Sequence, residues 1–307
     1  MIVSNYLYEK LESPPKNNNE LTYYCAMDAF CKIVQKKNIY MSDLTTMNDP
    51  AEMIVQNFNI SNVLCRLYEN DSFKFDLSGT NFYDYVADID NEITKSQFKN
   101  FAKNYFAICL SSESDSLNMW RMYGDDGRGI GLTFNREDLI KYVKKDAKKH
   151  FEDIIYLDNT NQIVQAISTE IFSKIKKLAL ANDVKALKTL KSTFLTDINN
   201  LSFKYKTKDY EDEREARIVD VQNGNMGIDD CNIKSIKIEQ YNGVNVRLRN
   251  NQLVMYKDFN LENLLPVSIV LGPNNNQDIE ALKIFLAKNQ FYVKNIYKSY
   301  IPYRNVR

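Results

Sequence analysis

Apolar and polar positions follow two different periods along the chain, and the two periods predict both strands and helices. LTYYCAM (21–27) is typical of a short strand, and DAFCKIVQKKN (28–38) has the spacing of an amphipathic helix. IYMS (39–42) then indicates a second short strand. The continuous apolar run YFAICLS (105–111) favours a strand buried on both faces. Residues 21–111 therefore predict a strand–helix–strand unit and, later in the chain, a central strand.

The remainder of the chain has longer helical patterns and a strand-rich end. NREDLIKYVKKDAKKH (135–150) predicts an amphipathic helix capped by Asn135, and 160–206 contains two long helical patterns that predict a hairpin. NNQDIEALKIFLAKN (275–289) predicts another helix, before a closing strand within 292–304. The strands predicted from residue 212 onward are EREARIVDV (213–221), IKSIKIEQ (233–240), VNVRLRN (244–250), QLVMYKD (252–258) and VSIVLGP (267–273).

Strands and helices do not alternate regularly in this order, which favours an α+β fold over a doubly wound sheet. The sequence contains no internal repeat and no Pro-, Gly- or Ser-rich linker. We therefore expect one domain over residues 1–307, with a helical insertion at about 160–206.

Composition limits the classes of function. Forty Lys and Arg residues balance forty Asp and Glu residues, which disfavours a binder of duplex nucleic acid. The five cysteines are scattered without a CxxC pair, so their spacing predicts no zinc or iron–sulfur site. The N-terminal residues lack a signal-peptide pattern, and no apolar run is long enough to cross a membrane. We expect a soluble cytoplasmic protein that contacts no membrane.

The histidine count limits the chemistry further. His150 is the one histidine in the chain, and we expect it at a helix C-terminus or in solvent. Multi-histidine metal sites are therefore excluded, as are Ser-His-Asp and Cys-His nucleophile schemes that do not use His150. No metal is expected, so any chemistry must come from carboxylates, hydroxyls, arginines or a bound cofactor.

The segment EDEREARIVD (211–220) contains four acids and two arginines within its first seven residues. On a strand, Glu213, Glu215 and Arg217 would project from one face. Two interpretations are open: a solvated strand edge with cross-strand ion pairs, or two carboxylates that line a site.

Three other segments contain candidate residues. GRGIG (127–131) matches neither phosphate-loop pattern and leads into a strand, which favours a tight turn and close strand packing. Asn48 lies in the turn TMNDPAE (46–52), where Asn and Asp before Pro usually make local hydrogen bonds. Trp120 and Tyr123 follow the predicted central strand on a short helix, where aromatic rings either fill the core or stack on a planar ligand.

Four segments in this order resemble the bacterial domain-of-unknown-function 2971 family, across roughly residues 20 to 304. The resemblance rests on the opening strand–helix–serine-strand unit with its Asn-Asp-Pro turn, the block ICLSSESDSLNMWRMYGDDGRGIGLTF, the E-x-E-x-R segment, and the closing SIVLGPN and IYKSYIPYR. The layout of that family is similar to the ADP-ribosyltransferase fold. The resemblance implies mixed, largely antiparallel sheets and NAD as the substrate, without a metal.

The resemblance also implies roles for individual residues. Glu215 is the candidate catalytic glutamate, which would contact the nicotinamide ribose while the glycosidic bond breaks, and Glu213 would orient the acceptor. The candidate NAD-binding residues are Tyr23 or Tyr24 at the anchor position, Ser42, Asn48, Tyr123 and Arg217. Tyr23 stands where the family commonly has histidine. The implied activity is ADP-ribosyl transfer to an unknown protein or nucleic-acid acceptor by a toxin or phage-defence effector.

Two alternative functions remain open. The same scaffold could hold a nucleotide or a protein partner without catalysis, and the tyrosine at the anchor position favours that alternative. A Mg²⁺-dependent hydrolase or nuclease using Asp49, Glu52 and Glu213 is the other, because carboxylates suit that ion.

Overall fold

The computed structural model describes residues 11–47, 60–77, 79–97, 105–222, 238–249 and 251–303. Its strands are β1 (Glu20–Cys25), β2 (Asn38–Asp43), β3 (Tyr105–Ser111), β4 (Ile130–Asn135), β5 (Lys149–Asp153), β6 (Ile155–Leu157), β7 (Tyr205–Thr207), β8 (Glu215–Val221), β9 (Val244–Arg249), β10 (Gln252–Asn260), β11 (Ser268–Leu271) and β12 (Asn295–Lys298). Its α-helices are α1 (Met27–Lys36), α2 (Ile60–Asn70), α3 (Phe82–Gln97), α4 (Leu117–Met122), α5 (Arg136–Val143), α6 (Thr160–Leu180), α7 (Val184–Ser202) and α8 (Ile279–Lys288).

Ten of the described strands form one sheet, with the main order β12-β11-β4-β1-β3-β2-β10-β9. The strand β8 pairs with β3 and β5 beside this path. Every pairing in the sheet is antiparallel except that of β11 with β12, and β6 pairs with β7 in parallel as a separate ribbon. The predictions of an α+β fold and of a largely antiparallel sheet are confirmed.

The larger hydrophobic core lies between this sheet and three helices. Phe30 of α1, Leu139 of α5 and Leu282 of α8 are buried against apolar strand residues such as Ile108 and Leu132. The period-2 spacing of these strand residues places them on one face, while the intervening residues point to the other face. That other face contains the polar side chains described below.

A second core is built mainly from helices and also includes Tyr205 of β7. It is formed by α2, α3, α6 and α7, with Ile89, Ile167, Ile175 and Phe194 almost completely buried. The two long helices confirm the hairpin predicted for 160–206, and Asp183 caps α7 by accepting from the Ala186 backbone N–H. No helix in the described ranges combines the length and apolar character required to cross a bilayer.

Several predicted boundaries are wrong. Asn135 caps α5 as expected by accepting from the Asp138 N–H, but the helix ends at Val143, and His150 lies exposed on β5. Of the strand predicted at 233–240, residues 238–240 belong to a 3-10 turn, Ile238–Tyr241, and the remainder lies outside the described residues. The closing strand is only Asn295–Lys298.

The glycine-rich segment 127–131 is a turn followed by close packing. Gly127 has a positive φ of 81°. A Cβ atom at Gly129 would lie 2.2 Å from the Cys25 carbonyl oxygen, and one at Gly131 would lie 2.8 Å from the Thr22 side chain. Since a side chain at either position would collide with β1, the packing interpretation of GRGIG is confirmed.

Candidate functional site

A cleft opens where β1 and β2 separate along the same edge of β3. The other edge of β3 pairs with β8 over its whole length. On the shared edge, β1 contacts β3 only at Thr22 with Ser111, while β2 contacts it at Ser42 with Ala107 and at Asp43 with Phe106. The middle of β3 therefore faces a gap between the two strands, and a cavity of about 620 Å³ lies there.

The cleft brings together most of the predicted site residues. Tyr23, Tyr24, Ser42, Tyr123, Glu213 and Glu215 all line it. Arg217 does not line the cavity; it is fully buried behind Glu215 on β8. Asn48 lies outside the described residues. Residues as far apart in the chain as Tyr23 and Glu215 thus meet in one cavity. Because Glu213 and Glu215 are buried, the open question about EDEREARIVD is answered against a solvated edge.

Four buried charged groups form a cluster at the floor of the cleft: Lys206, Glu213 and Glu215 line it, and Arg217 lies behind them. The Lys206 ammonium lies 2.7 Å from Glu213 Oε2 and 2.7 Å from Glu215 Oε2. Arg217 donates to both oxygens of Glu215, from Nε to Oε1 and from Nη2 to Oε2, the latter at 3.1 Å. Tyr123 completes the cluster by donating its hydroxyl to Glu213 Oε1 at 2.7 Å. Two carboxylates therefore share one ammonium, and one of them also has a guanidinium partner.

The environment of these groups fixes their protonation. Burial by itself raises the pKa of Glu215, but the charges of Arg217 and Lys206 together with hydrogen bonds from Arg217 and Cys109 outweigh it and lower the pKa to about 2. Burial and the neighbouring Glu213 carboxylate raise the pKa of Tyr123 far above its ordinary value. Glu215 is thus ionised and Tyr123 protonated at neutral pH.

The two glutamates reach the cleft by a different local structure from the predicted one. Glu213 ends a 3-10 turn, Lys208–Glu213, and the strand starts only at Glu215. Between them Arg214 has a left-handed backbone with φ 41°. The Ser111 hydroxyl donates to the Glu213 carbonyl at 2.7 Å and anchors the turn on β3. The prediction of one strand face for Glu213, Glu215 and Arg217 is wrong for Glu213, although all three side chains still meet.

The two tyrosines proposed for the anchor position differ in their contacts. The Tyr24 hydroxyl donates to the Glu113 carbonyl at 2.6 Å and accepts from the Ser116 N–H, and its ring meets the edge of Trp120. The Tyr23 hydroxyl has no hydrogen bond to the described residues while it lines the same cavity. Of the two, Tyr23 is therefore the one with a hydroxyl available to a ligand.

Trp120 belongs to the core beside the cleft. Its side chain is completely buried, and its indole N–H donates to Asp115 Oδ1 at 2.7 Å. The packing alternative for Trp120 is confirmed, whereas Tyr123, at the end of the same helix, faces the cleft.

Sequence reasoning missed two residues of this site. Lys206 lies on β7 within a lysine-rich stretch, so nothing in the local pattern distinguishes it from solvated neighbours. Arg247 lies on β9, and its Nη2 donates to Ser42 Oγ at 3.1 Å while its guanidinium lies 5.0 Å from the Tyr40 ring. The alternation VRLR in the predicted strand 244–250 places two arginines on one face and was the available signal.

The residues of the magnesium alternative do not gather within the described part of the chain. Asp49 and Glu52 lie outside it. Among the described residues there is no group of three or more His, Cys, Asp or Glu side chains that could hold a metal ion.

Comparison with known proteins supports the family resemblance over part of the chain. No curated protein and no solved structure matches the chain significantly. Residues 119–218, which extend from α4 to β8 and include Tyr123, Lys206, Glu213 and Glu215, are similar to the family described as Protein of unknown function (DUF2971).

Proposed function

We propose that the cleft binds NAD and that the protein is an ADP-ribosyltransferase-like enzyme that cleaves the bond between nicotinamide and ribose. The observation that carries this proposal is the convergence of Tyr23, Ser42, Tyr123, Glu213 and Glu215 on one cavity. These are the positions at which the family resemblance implies NAD-binding and catalytic residues. A macromolecular acceptor, protein or nucleic acid, and a role as a toxin or phage-defence effector belong to the same proposal.

The charges of the floor suit the proposed reaction. Cleavage of a glycosidic bond passes through an oxocarbenium-like transition state, and an ionised carboxylate beside the ribose stabilises its positive charge. Arg217 and Lys206 keep Glu215 ionised. The phenol of Tyr123 is the weaker of the two partners of Glu213, so a ribose or acceptor hydroxyl can replace it without leaving a buried ion unpaired.

The test is release of nicotinamide from NAD by the purified full chain, with a cell extract as the source of acceptors. We expect Glu215→Gln to lower the rate at least about 100-fold, the scale at which loss of one transition-state contact is usually felt. Glu213→Gln should affect transfer to the acceptor more than loss of nicotinamide. Glu211→Gln is the matched control, since Glu211 is an exposed acid on the same segment and does not line the cleft.

Two outcomes would contradict the proposal at different points. Equal release by the wild type and Glu215→Gln would remove Glu215 from the mechanism. An absence of release with every acceptor tested, in a protein that binds NAD, would favour the second candidate function.

That second candidate is a nucleotide-sensing or protein-binding module without catalysis. The pairing of both carboxylates with Lys206 favours it, because a catalytic carboxylate must contact the substrate and here each one already has a cationic partner at 2.7 Å. Calorimetry with NAD and ADP-ribose separates the two functions: tight binding without nicotinamide release is the result expected of a sensor.

A further inference from the structure

Two arginines carry the uncompensated charge of the cleft. Asp28 and Asp125, which also line it, pair with Lys32 and Arg128 respectively. The charges of the floor cancel, since Lys206 and Arg217 balance Glu213 and Glu215. Arg247 and Arg249 of β9 remain, and neither has a carboxylate partner among the described residues. The end of the cleft beside β9 is therefore cationic.

Arg247 is held in place by contacts that leave its charge unmatched. Its guanidinium lies 5.0 Å from the Tyr40 ring centre and 5.6 Å from that of Tyr256. These rings belong to β10, which pairs with β9, and to β2, which pairs with the other edge of β10. Its one hydrogen bond within the described residues goes to Ser42, a neutral acceptor, and its Nε is shielded from solvent without a partner there. A buried N–H without an acceptor is costly, so this group has spare capacity to donate to a ligand.

The charges of Arg247 and Arg249 act across the cleft on Tyr23. Burial raises the pKa of Tyr23, while the charges of Arg247 and Arg249 act in the opposite direction. Both guanidinium groups are thus within electrostatic reach of the Tyr23 hydroxyl, which is free to accept or donate a hydrogen bond.

We propose that Arg247 and Arg249 form an anion subsite that binds the phosphate groups of a nucleoside diphosphate ligand. A guanidinium is planar, always charged and able to donate two parallel hydrogen bonds, which suits phosphate oxygens. The subsite sets the orientation of the ligand: its phosphates lie beside β9 and Tyr40, and its sugar extends toward Tyr123 and Glu213. The inference rests on the proposed function for the kind of ligand, but phosphate binding does not require bond cleavage.

The test compares binding of adenosine, ADP and inorganic pyrophosphate to the full chain by calorimetry. In the wild type we expect ADP to bind at least about tenfold more tightly than adenosine, as one or two charge-assisted hydrogen bonds would give. Pyrophosphate should bind as well and compete with ADP. Raising the salt concentration should weaken the binding of ADP and leave the binding of adenosine unchanged, because salt screens the charge of ADP and adenosine has none.

Variants then test whether the preference for ADP depends on Arg247 and Arg249. Arg247→Gln should abolish the preference for ADP and the binding of pyrophosphate while adenosine binds as before, and Arg247→Lys should restore part of the preference. Arg249→Gln should reduce the preference; since Arg249 makes no hydrogen bond to the described residues, this variant is informative even where Arg247→Gln fails to fold. Arg66→Gln, at an exposed position of α2 away from the cleft, is the matched control and should bind all three ligands as the wild type does.

The inference is overturned if the wild type binds ADP and adenosine equally, if it binds neither ADP nor pyrophosphate, or if both arginine variants keep the full preference. These outcomes are separate from failure of the proposed function. A protein that prefers ADP through Arg247 but releases no nicotinamide keeps the anion subsite and loses the transferase assignment.

Discussion

Replacement of Lys206 by methionine tests whether the floor of the cleft is one electrostatic unit. Lys206 is 5% exposed, and its ammonium contacts both Glu213 and Glu215 at 2.7 Å. Methionine keeps an unbranched apolar side chain of similar length but removes the charge. The two buried carboxylates then lose their shared ammonium, and Arg217, which donates to both oxygens of Glu215, is the remaining cation of the cluster.

The stability that Lys206→Met should lose follows from two opposing energies, the attraction between the charges and the cost of removing them from water. With an effective dielectric constant of about 20, each ion pair at this distance contributes roughly 6 kcal/mol of attraction. Desolvation of the ammonium, which costs several kcal/mol, offsets part of the two pairs in the wild type. Removing one partner of a buried pair generally costs about 3–5 kcal/mol, because the remaining charge stays buried without compensation. We expect Lys206→Met to lower the free energy of unfolding by that amount.

Urea unfolding of four proteins at neutral pH measures this coupling: the wild type, Lys206→Met, Glu213→Gln and the double variant. The double variant restores electroneutrality, so it should lose less stability than the sum of the single losses, by about 0.5–3 kcal/mol. Lys204→Met is the matched control, because Lys204 is more exposed and its ammonium lies 3.9 Å from Glu152; it should cost no more than about 1 kcal/mol. The reasoning is refuted if Lys206→Met is as stable as the control, or if the single losses simply add.

Three further predictions concern pH and packing. The folded-state pKa of Glu215 is lowered to about 2, so its ionic contribution to stability is complete above the ordinary value of 4.5 and is lost as the pH falls toward 2. When the free energy of unfolding is measured against pH, stability should therefore fall less steeply in acid for Glu215→Gln than for the wild type. Gly129→Ala should lower the melting temperature, since the added Cβ would lie 2.2 Å from the Cys25 carbonyl, and overpacking of this kind typically costs about 1–3 kcal/mol or more. Phe194→Ala should cost about 3–5 kcal/mol in chemical denaturation, because its ring is 1% exposed in the helical core.

Local sequence patterns predicted much of the fold, because many of its helices and strands have the arrangement of apolar residues that is typical of their own secondary structure. The helix α1 and the helical hairpin carry apolar residues at helical spacing, and β1 is a short, largely buried apolar run. Boundaries were less predictable where a polar run is compatible with several structures. The lysines after Val143 continue a helical pattern, yet the chain turns there and residues 149–153 pair with β8. Sheet pairing, a long-range interaction, overrides local propensity at that point.

The site was predictable in its carboxylates and in Arg217, but not in Lys206 and Arg247. Glu213 and Glu215 are conspicuous because acids seldom precede a strand that runs into the core. The cations that sequence reasoning missed come from other elements: Lys206, which both carboxylates share, lies on β7, and Arg247, which donates to Ser42, lies on β9. A sequence with forty basic residues offers no local signal that Lys206 folds into a cavity, and for Arg247 the alternation VRLR is the available signal. Lys206 and Arg247 are placed at the cleft by strand pairing, which joins segments that can be more than two hundred residues apart in the chain.

The charge distribution of the cleft bears on the choice between a transferase and a binding module. Its two ends differ: the floor holds both carboxylates within a neutral cluster, whereas the β9 end holds two unmatched guanidinium groups. An oxidised nicotinamide dinucleotide has the complementary polarity, with a cationic ring at one end of its ribose and a negatively charged diphosphate at the other. In the binding mode that we propose, diphosphate at Arg247 directs the cationic ring toward Glu213 and Glu215. In that mode the cationic ring competes with Lys206 for the carboxylates, so the ion pairs that argue against catalysis are contacts that the ligand itself would weaken on entering the cleft.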